Sequence, residues 1–279
     1  MTLKTCAAFT MSREEPLWLF VWLNHYGREL GVQNCFVLHE PVDPTIDHAK
    51  RLFRHANFHA VPSRVPGEFK PGHYDMNLEK WRLSVVKRWQ TDLLGPYEAV
   101  IFTDTDEFLV PDEGIIPWVQ TRLKGRTHVR SECWSPVDSL TGAQIIPGES
   151  ALRNCRQMWR LPLYDKTLLV TKPQSYSRGF HCTYGIDGTG GGLDGSNLRK
   201  RIADPIDPTL PMCHAWRSDF DDWWRDAKWR YNITVEQGKQ YFRDHDPKLL
   251  NTPGDPHVVG EPREVPESWR RKLVIPHDR

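Results

Sequence analysis

Residues 99–110 read Ala-Val-Ile-Phe-Thr-Asp-Thr-Asp-Glu-Phe-Leu-Val, with three acids, Asp104, Asp106 and Glu107, set between two apolar runs. The first run, with its β-branched members, has the pattern of a buried strand. Unpaired carboxylates beside a core are costly, so acids in this position call for a compensating partner. The simplest general partner is a divalent cation held by hard oxygens, with a phosphate on its other side. In an open α/β sheet, ligands gather outside the carboxyl ends of the strands, and a strand ending in Asp-x-Asp delivers a cation there. The alternative is a strand followed by an acidic turn whose carboxylates are held in structural pairs.

A chain of 279 residues can bury a sizeable core as one large domain or two. With 37 basic and 36 acidic residues the formal net charge is +1, which gives no electrostatic case for nucleic acid or an anionic membrane surface. Hydrophobic residues make up 39%, a globular rather than a disordered composition. Twelve tryptophans supply faces that stack on sugar rings or fill a core. Cys6, Cys35, Cys133, Cys155, Cys182 and Cys213 form no Cys-x-x-Cys pair, which argues against a zinc ribbon or a thioredoxin-like motif. Their scatter suits reduced thiols in a cytoplasmic protein. Residues 17–23 are apolar, but Glu14 and Glu15 precede them and no small-residue cleavage site follows, so no signal peptide is expected. No run reaches transmembrane length.

Three separated blocks carry a family resemblance. The segment Thr103-Asp104-Thr105-Asp106-Glu107-Phe108-Leu109 resembles the metal motif of family-2-like bacterial glycosyltransferases of the GT-A fold. Trp18-Leu19, then Trp22-Leu23-Asn24-His25-Tyr26 and Leu30-Gly31, is similar to the helix after the first strand of that group. Residues 210–218, Leu-Pro-Met-Cys-His-Ala-Trp-Arg-Ser, resemble its late His block, and residues 219–230 its acidic, aromatic helix. The resemblance spans residues 1–235. It implies an α/β, GT-A-like (Rossmann-like) single domain, a central mostly parallel sheet flanked by helices. Residues 1–114 would be the nucleotide-binding half, 115–235 the acceptor half, and 236–279 a C-terminal tail.

The same resemblance implies a site. Asp104, Asp106 and His214 would hold a divalent cation, Mn2+ or Mg2+, an imidazole ligand suiting the softer manganese. Thr10, Arg13, Glu40, Lys80 and Asp104 would face the nucleotide of a UDP- or GDP-sugar donor. The acceptor would be a glycan or another, for instance lipid-linked, hydroxyl compound, and transfer would proceed with inversion. Glu107 would support the cluster from behind. Helix packing and supporting hydrogen bonds account for Asn24 and His25.

The remaining pattern fills in around these blocks. Strands are predicted near 4–9, 35–39, 57–61, 127–134 and 166–173, and helices over 16–30, 45–54, 74–94 and 115–123. Residues 151–164 stay open between states. Residues 185–195 hold six glycines without the Gly-Lys-Ser/Thr of a phosphate loop or the repeats of a calcium-binding β-helix. They read as a lid over donor and acceptor, or as a plain surface loop. Asp187 and Asp194 within them, and Asp165 before them, are candidate bases for the acceptor hydroxyl. Two other functions use the same features: a metal-dependent nucleotidyltransferase or phosphohydrolase, and a non-catalytic carbohydrate-binding protein.

Overall fold

The structure is a computed structural model that describes residues 4–12, 16–41, 43–61, 76–136, 147–176, 183–184, 206–215 and 259–277. Its first half alternates strand and helix. Strand β1 (Lys4–Ser12) leads to helix α1 (Pro16–Tyr26), β2 (Cys35–His39) to α2 (Pro44–Leu52), and β3 (Asn57–Ala60) to α3 (Met76–Leu93), which returns to β4 (Tyr97–Phe102). The order β3-β2-β1-β4 is parallel throughout. Alternation along β1 and β4 explains why both strands are apolar on both sides. Cys6, Ala8, Ala99 and Ile101 pack toward α1 and α2, while Ala7, Phe9, Val100 and Phe102 pack with residues of α3.

The helices end where their sequences say they should. Helix α1 is apolar nearly all round and correspondingly buried, with Leu19, Val21, Trp22, Leu23 and Tyr26 fully covered. A π-helical turn, Gly27–Gly31, continues it. Gly31 closes that turn at φ 88°, a backbone state that side-chain-bearing residues avoid. Asp43 caps α2 by accepting the Thr45 amide at 2.9 Å.

The second half is built differently. Strand β5 (Glu107–Leu109) and helix α4 (Ile115–Arg122) follow β4, and then come β6 (His128–Pro136), β7 (Gln157–Arg160) and β8 (Lys166–Val170). Strand β8 is antiparallel to both β4 and β6, and β7 is antiparallel to β6. A two-stranded ladder of β9 (Ser175–Tyr176) and β10 (Thr183–Tyr184) stands apart. Strand β11 (Ile206–His214) runs parallel to β6 and antiparallel to β5. The α/β class, the parallel first half and the flanking helices agree with the sequence reading. The antiparallel strands β8, β6 and β7 extend that parallel half into one mixed sheet.

Residues 259–277 join the same sheet and core. Strand β12 (Val259–Glu264) pairs antiparallel with β7 at the edge, and helix α5 (Glu267–Lys272) buries Trp269. Leu273 and Ile275 are buried beyond it. The Asn24 side-chain amide donates to Val274 O at 2.7 Å, and the Ala151 amide to Leu273 O at 2.7 Å. Trp269→Ala is therefore expected to cost about 3–5 kcal/mol, measured as a shift of the urea unfolding midpoint with little change in slope.

Candidate metal and nucleotide site

The acid cluster sits where β4 gives out. The Thr103 amide still bonds Phe9 O, at 3.3 Å, and the chain then turns through Asp104 to Asp106 into β5. Helix α1 fixes that turn from one side. Trp22 Nε1 donates to Thr103 Oγ1 at 2.7 Å. The Tyr26 hydroxyl donates to Glu107 O at 3.3 Å and accepts the Leu109 amide at 3.0 Å. His25 Nε2 lies 2.9 Å from Leu109 O. Burial pulls the His25 pKa down to about 4, so the ring is neutral near pH 7 and Nε2 carries the proton that bonds the carbonyl. His25 and Tyr26 are thus supports of the acid strand, and Asn24 ties α1 to residue 274.

Strand β11 closes the other side. Its antiparallel register with β5 sets His214 opposite Glu107, and the Ala215 amide bonds Asp106 O at 2.8 Å. His214 Nε2 comes to 3.7 Å from Asp106 Oδ2 and 3.9 Å from Glu107 Oε1. One ligand atom from each of Asp106, Glu107 and His214 lies within 4.8 Å of the others, and all three residues are buried. Two carboxylate oxygens and an imidazole nitrogen fit Mn2+ well and Mg2+ acceptably.

Two cations already balance part of this charge. Arg82 Nη2, from α3, meets Asp104 Oδ1 at 2.7 Å, and Lys166 Nζ, at the start of β8, meets Asp104 Oδ2 at 3.1 Å. The Lys166 ammonium also bonds Glu107 Oε1, while Glu107 Oε2 accepts the Asp104 amide at 3.2 Å. Burial pushes the Glu107 pKa up; Lys166 pulls against it, and Asp104 and Asp106 reinforce it as like charges. Burial alone would lower Lys166, but Glu107 and Asp104 outweigh it and hold the ammonium charged.

Of the residues expected in the site, Asp106 and His214 are brought together, with Glu107 beside them. Asp104 is engaged by Arg82 and Lys166. Thr10 is buried near the carboxyl end of β1, and neither its hydroxyl nor that of Ser12 has a hydrogen-bond partner among the described residues. Glu40 follows β2 and is half-buried, and Lys80 is exposed on α3, where Arg82 makes the helix's contact with the acids. Asp165 is a structural acid. It takes Arg160 Nη1 and Nη2 in a fork at 2.6 Å each, and the Cys133 amide at 2.8 Å. Arg13, Asp187, Asp194 and the glycine stretch 185–195 lie outside the described residues, as do residues 216–235.

Lys166 and Arg82 are not singled out by the sequence reading. A lysine opening an otherwise apolar strand, Lys-Thr-Leu-Leu-Val, is a usable signal, because a buried lysine needs a carboxylate. Arg82 carries no such mark among the cations of α3.

No protein-family model matches the chain, and no curated protein is similar to it in sequence. Solved structures do resemble it in part, two of them as follows. One, a 4-diphosphocytidyl-2C-methyl-D-erythritol synthase, is 13% identical, with a TM-score of 0.40 over 80% of this chain and 98% of that one. The other, a mannose-1-phosphate geranyltransferase from Thermus thermophilus, is 12% identical, with a TM-score of 0.29 over 61% of this chain and 51% of that one.

The buried His25 generates a pH prediction. Its folded pKa is depressed, so below an ordinary value of about 6.5 the unfolded chain takes up the proton first. The stability due to the neutral ring is present above pH 6.5 and is lost as pH falls toward 4. The difference in unfolding free energy between the native protein and His25→Gln is expected to shrink by roughly 3 kcal/mol across that window, read from urea titrations at each pH.

Proposed function

We propose that this chain is a metal-dependent glycosyltransferase that moves a sugar from a UDP- or GDP-sugar to a hydroxyl acceptor. The observation that supports it best is the buried carboxylate and imidazole pair, Asp106 Oδ2 and His214 Nε2 at 3.7 Å, at the carboxyl end of a parallel strand. The order of the three sequence blocks that resemble the GT-A enzymes agrees with that reading. No described helix is long and apolar enough to cross a membrane.

Asp106 and His214, with Glu107 or Asp104, would hold the cation. Bound there, it would neutralise charge on the departing diphosphate as a Lewis acid. The chain's own groups supply the rest. Arg82, a planar donor at the edge of the cluster, suits a phosphate oxygen. The Thr10 hydroxyl, with no partner among the described residues, suits a polar group of the nucleotide. Glu107 holds the turn by accepting the Asp104 amide. Asp187 and Asp194 are the candidate bases for the acceptor hydroxyl, and residues 185–195 the candidate cover against water.

The test is a panel of nucleotide sugars and free nucleoside triphosphates, incubated with Mn2+ or with chelator. Manganese-dependent consumption of a nucleotide sugar with release of the nucleoside diphosphate is expected. Consumption of triphosphates instead would assign nucleotidyl transfer, and glycan binding indifferent to chelator would assign a carbohydrate-binding protein. Asp106→Ala is expected to lower turnover by about a thousandfold or more and to remove manganese-dependent nucleotide binding, with native circular dichroism. Normal transfer by that variant overturns the proposal.

A further inference from the structure

We infer that Lys166 is a resident counter-cation that competes with a divalent ion for Asp104, so that the ion binds tightly only together with an anionic diphosphate. The inference rests on the cation reading of the site given above.

Lys166 is a costly residue where it stands. It opens β8 opposite Ser131 of β6, and its side chain is 7% exposed. All five residues of β8 are buried. An ammonium is desolvated at such a position only against compensating negative charge. That charge comes from two carboxylates of the cluster, Asp104 Oδ2 and Glu107 Oε1. With Arg82 on Asp104 Oδ1, each Asp104 oxygen faces a protein cation. Glu107 Oε1 is bonded by Lys166 and Glu107 Oε2 by a backbone amide.

Two consequences follow from charge alone. The three carboxylates against Lys166 and Arg82 leave one negative charge for an incoming dication. The same dication would sit near an ammonium that already bonds Glu107, whose Oε1 is 3.9 Å from His214 Nε2. Both effects weaken binding of the bare ion. A diphosphate reverses them, because it adds negative charge and offers Arg82 an alternative to Asp104. Once Arg82 turns to the phosphate, Asp104 can turn to the ion, and the two ligands favour each other by the same factor in either order of binding. Lys166 acts here as a positioning residue, through Asp104 and Glu107.

The probes are Mn2+ alone and Mn2+ with inorganic pyrophosphate, in equilibrium dialysis with native, Glu107→Gln, Lys166→Met/Glu107→Gln and Lys166→Gln proteins, each checked for native circular dichroism. The double variant is compared with Glu107→Gln, which isolates the hold of Lys166 on Asp104 without stranding a buried Glu107. Lys166→Gln against the native protein removes the ammonium with Glu107 still present and a neutral amide left to bond it. In both comparisons removal of the ammonium is expected to tighten Mn2+ binding by about tenfold or more in the absence of pyrophosphate. The gain that pyrophosphate confers is expected to shrink accordingly. Unchanged or weaker Mn2+ binding in the folded variants overturns the role given to Lys166 while leaving the cation site standing. Absence of Mn2+ binding in every protein, with and without pyrophosphate, overturns the cation reading and this inference together.

Discussion

The contact between the Lys166 ammonium and the carboxylates of Asp104 and Glu107 makes the rest of the centre possible. Glu107 is 1% exposed and Asp106 is 7% exposed, at the end of a strand packed on both faces. Acids there would otherwise stay protonated or drag the strand end into water. With Lys166 beneath them, the chain can turn from β4 into β5 without leaving the core. Breaking such a buried pair by removing one partner costs far more than the pair itself contributes, because a lone charge stays behind.

Around that pair the fold acts as a positioning frame. The parallel half brings the carboxyl ends of β1, β2 and β4 to one side, where Thr10 and Ser12 follow Phe9 and Asp104 follows Phe102, the register partner of Phe9. Helix α1 holds the acid strand through three side chains, Trp22, His25 and Tyr26. Strand β11 then supplies His214 by backbone register instead of by a flexible loop, so the imidazole arrives on a rigid element.

Much of this was legible in the sequence because it is local. The apolar run before Asp104, the stop at Gly31 and the amphipathic or apolar helices are patterns of near neighbours, and they appear close to where they were read. The meeting of Asp106 with His214 was legible only through the order of the blocks. What stayed hidden is non-local or sign-ambiguous. Asp104 reads equally well as a ligand or as an ion-pair partner, and nothing local to it announces the Arg82 and Lys166 contacts that engage it. Residues 151–164 gave no clear period because β7 spans only Gln157–Arg160 and a short 3-10 turn, Pro162–Tyr164, follows it. The polar stretch 259–277 joins the core through a few widely spaced residues, Val265, Trp269, Leu273 and Ile275, too sparse to signal burial.

The docking of residues 259–277 bears on the order in which the protein can assemble. Synthesis delivers the parallel half first, and domains tend to organise from the leading end as they emerge. Yet α1, made early, keeps Asn24 without its carbonyl until Val274 arrives, and β5 lacks its neighbour until β11 has been made. A nascent chain therefore holds its acid strand half-clad until β11 has been made, and α1 gains its tie to residue 274 later still.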